Sequence, residues 1–187
     1  MDRILKTALA TFAATAALAL TACEKANTCT YDAPANTLSC SEKTYRTTKI
    51  GERVWIAENI DIYTPDSSIC YGNDHANCET MGRLYTWNAA TTGLCPKGWA
   101  LPTQQDFKKA FGNANAAALK DEASFGMKFA GFRYFDGNFA DKDASASFWT
   151  SDSYDDSRAY LVRATDTSIT YEHFNKNIFA SVRCVKE

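Results

Sequence analysis

Seven cysteines in 187 residues constrain this chain more than any other feature. An exported chain that pairs its thiols leaves none over, so an odd count requires one cysteine to be spent differently. Cys29, Cys40, Cys70, Cys78, Cys95 and Cys184 form an even set, whereas Cys23 stands directly after an apolar leader. Six cysteines can pair in more than a dozen ways, so sequence alone does not decide. Spacing suggests small loops closed by Cys29 with Cys40 and Cys70 with Cys78, which leaves Cys95 for Cys184 across most of the chain. A zinc site is not expected, because no C-x-x-C pair occurs and His75 and His173 are far apart in sequence. Paired sulfurs are not nucleophiles, which disfavours cysteine catalysis.

The start of the chain explains the seventh thiol. Arg3 and Lys6 precede an uncharged run from Thr7 to Leu20, and Leu20-Thr21-Ala22-Cys23 follows. A charged head, an apolar middle and small residues before a break describe a secretory signal over residues 1–22, short of the ~20 apolar residues of a spanning helix. The Leu-Thr-Ala-Cys ending resembles the lipobox of bacterial lipoproteins. That resemblance implies cleavage before Cys23, a diacylglycerol on its sulfur and acylation of the new amino terminus with palmitate-like chains. Two or three chains, each contributing ~0.8 kcal/mol per buried CH₂, anchor stably where one is marginal. Secretion with a free Cys23 is the alternative, and it leaves an exposed thiol in an oxidising space. Lipoproteins with Asp after the cysteine tend to stay in the inner membrane; here the residue is Glu24, so the outer membrane is expected. Removing the signal leaves 18 basic and 21 acidic side chains. A mildly acidic chain without a basic cluster is a poor match for nucleic acid.

The rest reads as a tether and small Cys29/Cys40 loop over residues 23–43, then one domain over 44–187. A composition that is 45% hydrophobic and 22% charged excludes disordered, collagen-like and multi-spanning chains. A domain of this length buries about 68% of its surface, enough for one core. Strand patterns cover 46–62, with a turn at Lys49-Ile50-Gly51-Glu52, then 82–87, 148–151, 159–163, 168–174 and 180–185. A short helical stretch is expected near Asn88 to Thr91. The clearest helix follows Pro102, with Thr103 as N-cap, Asp106 completing a capping box, and Phe107 and Phe111 on one face. A poorer helix covers 114–123. Two helices framed by short, mostly antiparallel strands with long loops indicate an α+β fold stapled by disulfides.

Five ordered blocks then point to a family: R-T-T-K-I-G-E-R-V-W-I-A-E-N from Arg46, G-R-L-Y-T-W from Gly82, C-P-K-G-W-A-L-P-T from Cys95, F-W-T-S from Phe148 and S-V-R-C-V-K from Ser181. Together they resemble the Fibrobacter succinogenes major paralogous domain (FISUMP), a family of mostly exported lipoproteins without a settled activity. The resemblance implies a C-type-lectin-like fold of the kind shared with formylglycine-generating enzymes. It also implies that the first and last strands pair, that a Cys95–Cys184 disulfide closes the domain, and that Trp55 and Trp99 are core residues. The calcium-chelating strings of sugar-binding C-type lectins do not occur: Trp87-Asn88-Ala89 lacks the carboxylate expected at its third place. The copper-binding cysteine pair of the formylglycine enzymes cannot be assigned if Cys184 closes the domain.

The aromatic loop segment from Gly131 to Tyr160 is the place to seek a ligand. Aromatic faces stack on sugar C–H surfaces, and Asp and Asn supply hydrogen bonds to hydroxyls. Candidate binding residues are Tyr134, Phe135, Asp136, Asn138, Trp149, Tyr154 and Arg158, although Trp149, like Phe132 and Phe148, is also what a core beneath the loops would use. Asp136, Asn138, Asp141 and Asp143 offer hard oxygens that suit calcium, but the spacing misses the EF-hand pattern and lacks its closing Glu, so a solvated turn is expected and no cofactor is assigned. His173 has no Ser or Cys near it in sequence, and no convincing catalytic constellation emerges. The expectation is therefore a non-enzymatic, lipid-anchored surface protein with a lectin-like domain for a polysaccharide or a protein partner. The alternatives are an enzyme of the formylglycine-generating (sulfatase-modifying) superfamily and a structural envelope component without a soluble ligand.

Overall fold

The computed structural model describes residues 29–41, 43–112, 116–122 and 124–187. The leader, Cys23 and Glu24 lie outside these residues. Among the described residues the chain forms β1 (Thr30–Asp32), β2 (Thr37–Ser39), β3 (Thr44–Ile50), β4 (Arg53–Ile56), β5 (Ser68–Ile69), α1 (His75–Met81), β6 (Leu84–Tyr85), α2 (Trp87–Thr91), β7 (Trp99–Ala100), α3 (Gln104–Phe111) and α4 (Ala116–Lys120). It continues through β8 (Ala130–Arg133), β9 (Phe139–Lys142), β10 (Ala146–Ser153), β11 (Arg158–Ala164), β12 (Ile169–Asn175), β13 (Ala180–Ser181) and β14 (Val185–Lys186).

Strand exceeds helix, 38% against 17%, and the strands build two curled half-barrel sheets. This corrects the expected fold: the molecule is mostly β and is not a two-helix α+β, C-type-lectin-like fold. The excess comes from short pieces that lack the length for a visible alternation of polar and apolar residues, namely β1, β2, β5, β7 and the β8–β9 hairpin. The first sheet runs β1-β2-β3-β4-β14-β7 and the second β12-β11-β10-β13-β6-β5, with β8 beside β10 and β9 beside β8. The last strand pairs with β4, opposing Val185 to Trp55, and with β7. The segment that reads as a separate Cys29/Cys40 loop is built into this sheet, because β2 pairs with β3 and Leu38 is fully buried.

The core divides in two because β10 and β11 are covered on both faces. Trp149 and Leu161 point to one side, among Tyr45, Ile56, Tyr85 and Val182. Phe148 and Val162 point to the other, against Phe107 and Phe111 of α3, Trp55 and Phe125. Each buried ring contributes roughly 1.5–3 kcal/mol. Helix α3 starts where the sequence says it should: Thr103 Oγ1 accepts the Asp106 N–H at 3.0 Å while Asp106 Oδ2 accepts the Thr103 N–H at 2.9 Å.

Three disulfides, Cys29–Cys40, Cys70–Cys78 and Cys95–Cys184, match the pairing that spacing suggested. Arg183, next to the last of these, is wholly buried, and among the described residues no carboxylate forms an ion pair with it. Its guanidinium instead donates to Asn59 Oδ1 (2.7 Å) and to the carbonyls of Ile56 (3.3 Å), Phe125 (2.7 Å) and Gly126 (2.8 Å), with the Phe125 ring 4.4 Å away. Burial pulls its pKa down to about 9, still above neutrality, so the group stays charged.

Candidate binding surface

The structure separates the seven candidate ligand contacts into three places. Tyr134, Phe135, Asp136 and Asn138 share the tip of the β8–β9 hairpin. Tyr154 and Arg158 lie where β10 turns into β11. Trp149 is in the core, and its candidacy is corrected: it is 0% exposed and its indole N–H donates to the Tyr85 carbonyl at 2.8 Å. The reason is the double covering of β10, which leaves no face of that strand's centre free for a ligand.

The hairpin tip is held rigidly from below. Arg133 exchanges backbone hydrogen bonds with Phe179 at 2.9 and 2.8 Å, and its guanidinium lies 5.1 Å from the Phe179 ring and 5.8 Å from that of Phe139. Phe139 in turn packs on Tyr71, centroid to centroid 4.9 Å. Gly131 allows β9 to approach closely: a Cβ there would lie 2.2 Å from the Ala140 carbonyl oxygen, and its φ is +62°. At the tip the Tyr134 N–H donates to the Asn138 carbonyl at 2.8 Å, closing the turn.

Within that turn Asp136 accepts the backbone N–H and the side-chain amide of Asn138, each at 3.0 Å. The Asn138 N–H bond is the main reason that the Asp136 carboxyl stays below its usual range, so it is an ionised acceptor at neutral pH. Tyr134 is 39% exposed, its ring edge-on to Phe132 at 4.7 Å, and Phe135 is 68% exposed. A locked turn therefore presents two rings, a carboxylate and an amide side by side.

Tyr154 is arranged differently. Its ring stacks on His173 at 3.9 Å and 14°, meets the edge of Tyr160 at 5.4 Å, and has the Arg158 guanidinium 4.7 Å from its centroid. Arg158 is engaged by Asp155 through its Nε at 2.8 Å and its Nη2 at 2.6 Å. That hydrogen bond, before any other cause, holds the Asp155 carboxyl well below its ordinary range. The Tyr154 ring thus has His173 and Arg158 packed against it, although the residue stays 45% exposed. His173 belongs to this ladder, a partner that alternation along β12 could have indicated, since Tyr160 opposes it directly.

The four oxygen-bearing residues weighed for calcium do not converge. Asp136 and Asn138 satisfy each other, Asp141 pairs with Arg163, and Asp143 pairs with Lys142. Among the described residues no group of three or more His, Cys, Asp or Glu is placed to hold a metal. A cleft of about 610 Å³ runs between the β1–β2 turn and β3. Three of the charged groups that line it are engaged internally: Arg46 binds Glu122, which Lys128 also binds, and Glu58 accepts the Arg46 N–H at 2.7 Å. The Lys128 contact is the chief cause that lowers the Glu122 pKa.

Comparison with curated proteins and with solved structures finds no match. Residues 48–118, from the end of β3 into α4, match the model of the Fibrobacter succinogenes major domain, and this match supports that family for the chain.

Proposed function

We propose that this chain is an exported, lipid-anchored surface protein whose domain binds polysaccharide without catalysis, using the β8–β9 hairpin as its contact. The observation that carries this reading is the display of the exposed Tyr134 and Phe135 on a hydrogen-bonded turn beside Asp136 and Asn138. A turn closed before binding loses little backbone entropy on contact, and the neighbouring carboxylate and amide can exchange hydrogen bonds with hydroxyls. The anchor rests on Arg3, Lys6, the apolar run and Leu20-Thr21-Ala22-Cys23, and the outer membrane on Glu24. An enzyme of the formylglycine type has less support, because the six described cysteines are all in disulfides and Cys184 is bonded to Cys95.

The test of binding is retention on insoluble cell-wall glycans. The protein should be retained, and a Tyr134→Ala/Phe135→Ala variant should lose at least about tenfold in affinity with an unchanged melting temperature, since both rings are exposed. Absence of retention on any glycan, or equal retention of wild type and variant, would overturn the reading. Anchoring is checked by incorporation of labelled palmitate in the bacterial host, expected in the wild type and lost in Cys23→Ala.

A further inference from the structure

We infer that the outward face of the β8–β9 hairpin selects uronic-acid units of a polysaccharide, with the Arg133 guanidinium as donor to the sugar carboxylate. The inference rests on the reading that this hairpin contacts polysaccharide, and it names the sugar class. Arg133 is the exception among the described arginines. Every other one spends its guanidinium on a carboxylate or on carbonyl oxygens. Arg133 bonds Phe179 through its backbone, whereas its side chain has two aromatic rings beside it and, among the described residues, no acceptor.

Its donors reach solvent. Arg133 is half-buried, yet the buried side-chain polar atoms that lack a partner among the described residues are Thr47 Oγ1, Trp55 Nε1, Arg83 Nε and Ser147 Oγ, none of them in Arg133. A guanidinium nitrogen that is neither bonded nor buried is open to a ligand. Gly137 at the turn adds no atom over this group, where a Cβ would stand 3.3 Å from Nη2.

Strand pairing fixes the face on which the guanidinium lies. Both backbone bonds of Arg133 run to Phe179, so Phe139, its partner in β9, stands on the other side without hydrogen bonds, the pairing that brings side chains closest. Directly opposed residues project to one face, which makes Phe139, Arg133 and Phe179 a row across three chain segments. Tyr71 lengthens the row beyond Phe139. Phe132, the preceding residue of β8, belongs to the core, whereas Arg133 and the three rings of the row are half-buried and pack into neither core cluster.

The ligand chemistry follows from shape and charge. A guanidinium fork binds a planar carboxylate through two parallel bonds, and the flanking rings can stack on the C–H faces of sugar rings. The Asp136 carboxylate, held low in pKa first by the Asn138 N–H, also feels the Arg133 charge without forming an ion pair with it. One cation beside one carboxylate suits a monoanion better than a phosphate monoester dianion.

The experiment is calorimetric titration of the full chain, at physiological ionic strength, with trigalacturonate, trimannuronate, their methyl esters and a sulfated galactan tetrasaccharide. At least one uronate should bind saturably and about tenfold or more tightly than its methyl ester, which keeps the sugar and removes the charge. Arg133→Gln should abolish most of that preference at an unchanged melting temperature, and Tyr134→Ala/Phe135→Ala should leave the acid-to-ester ratio as it is in the wild type. Should Arg133→Gln fail to fold, the Arg133 Nε–H resonance of the ¹⁵N-labelled wild type is expected to shift with the uronate and not with its ester. Equal binding of acid and ester, a preference that survives Arg133→Gln, an Arg133 resonance that the uronate does not move, or tighter binding of the sulfated galactan than of either uronate would overturn the inference. Retention on neutral glycans without a uronate preference sinks this inference alone, whereas retention on no glycan sinks the polysaccharide reading with it.

Discussion

Asp106 shows how one side chain can serve two structures. Burial by itself would raise its pKa, but hydrogen bonds from the Thr103 N–H and hydroxyl, together with the Arg53 charge, outweigh that and hold the carboxyl below its ordinary 3.8. A carboxyl with a depressed folded pKa contributes stability that is fully present above its unfolded value and is lost as pH falls through the folded one. Urea unfolding followed from pH 5 downward should therefore show wild type losing stability below about pH 4, and Asp106→Asn should be less stable at neutral pH with a flatter acid limb. An acid limb of equal steepness in both would show that Asp106 is not among the responsible groups. The capping role was legible in Thr103 and Asp106 because an N-cap and its return bond span only three residues. The ion pair with Arg53 was not, since the partner lies 53 positions away.

Of the elements of seven or eight residues, β3, α3, β10, β11 and β12 lie close to where alternation or capping puts them, whereas α1 does not read as a helix in the sequence. The β8–β9 hairpin was read as loop, because its strands have four residues each and its turn is rich in Gly, Asp and Asn. The residues of the candidate site were named from their chemistry, but the element that makes them a site was missed. Its weak point is Gly131, where any Cβ collides with the backbone of β9. Gly131→Ala should cost roughly 1–3 kcal/mol in urea unfolding, the range for forced backbone strain, and should reduce glycan retention together with the tip. An unaltered unfolding midpoint would mean that the hairpin does not depend on this close approach.

At the scale of the molecule, covalent and polar ties join segments that are distant in sequence. Cys95–Cys184 spans 89 residues and joins the loop before β7 to the strand end before β14. On the loop-entropy account its removal in Cys95→Ala/Cys184→Ala should cost on the order of 4–5 kcal/mol, against about 3 for Cys29→Ala/Cys40→Ala, which closes a separation of 11 residues. Equilibrium unfolding of both double variants checks the order, and a larger loss from the short loop would contradict it. Arg183 adds a second tie, since its four hydrogen bonds reach β4, Asn59 and the 125–126 segment at once.

The sequence by itself determined what local rules can encode: the cysteine pairing suggested by spacing, the cap of α3, the longer strands and the family blocks. These depend on residues near one another or on patterns long enough to repeat. Only the tertiary structure decided the sheet-dominated architecture, the burial of Trp149, the spent charge of Arg46 and Glu122, and the row that sets Arg133 between Phe139 and Phe179. Each of these depends on which distant segments cover a given face, and one strand with both faces buried looks in sequence much like one with a face left open for a ligand.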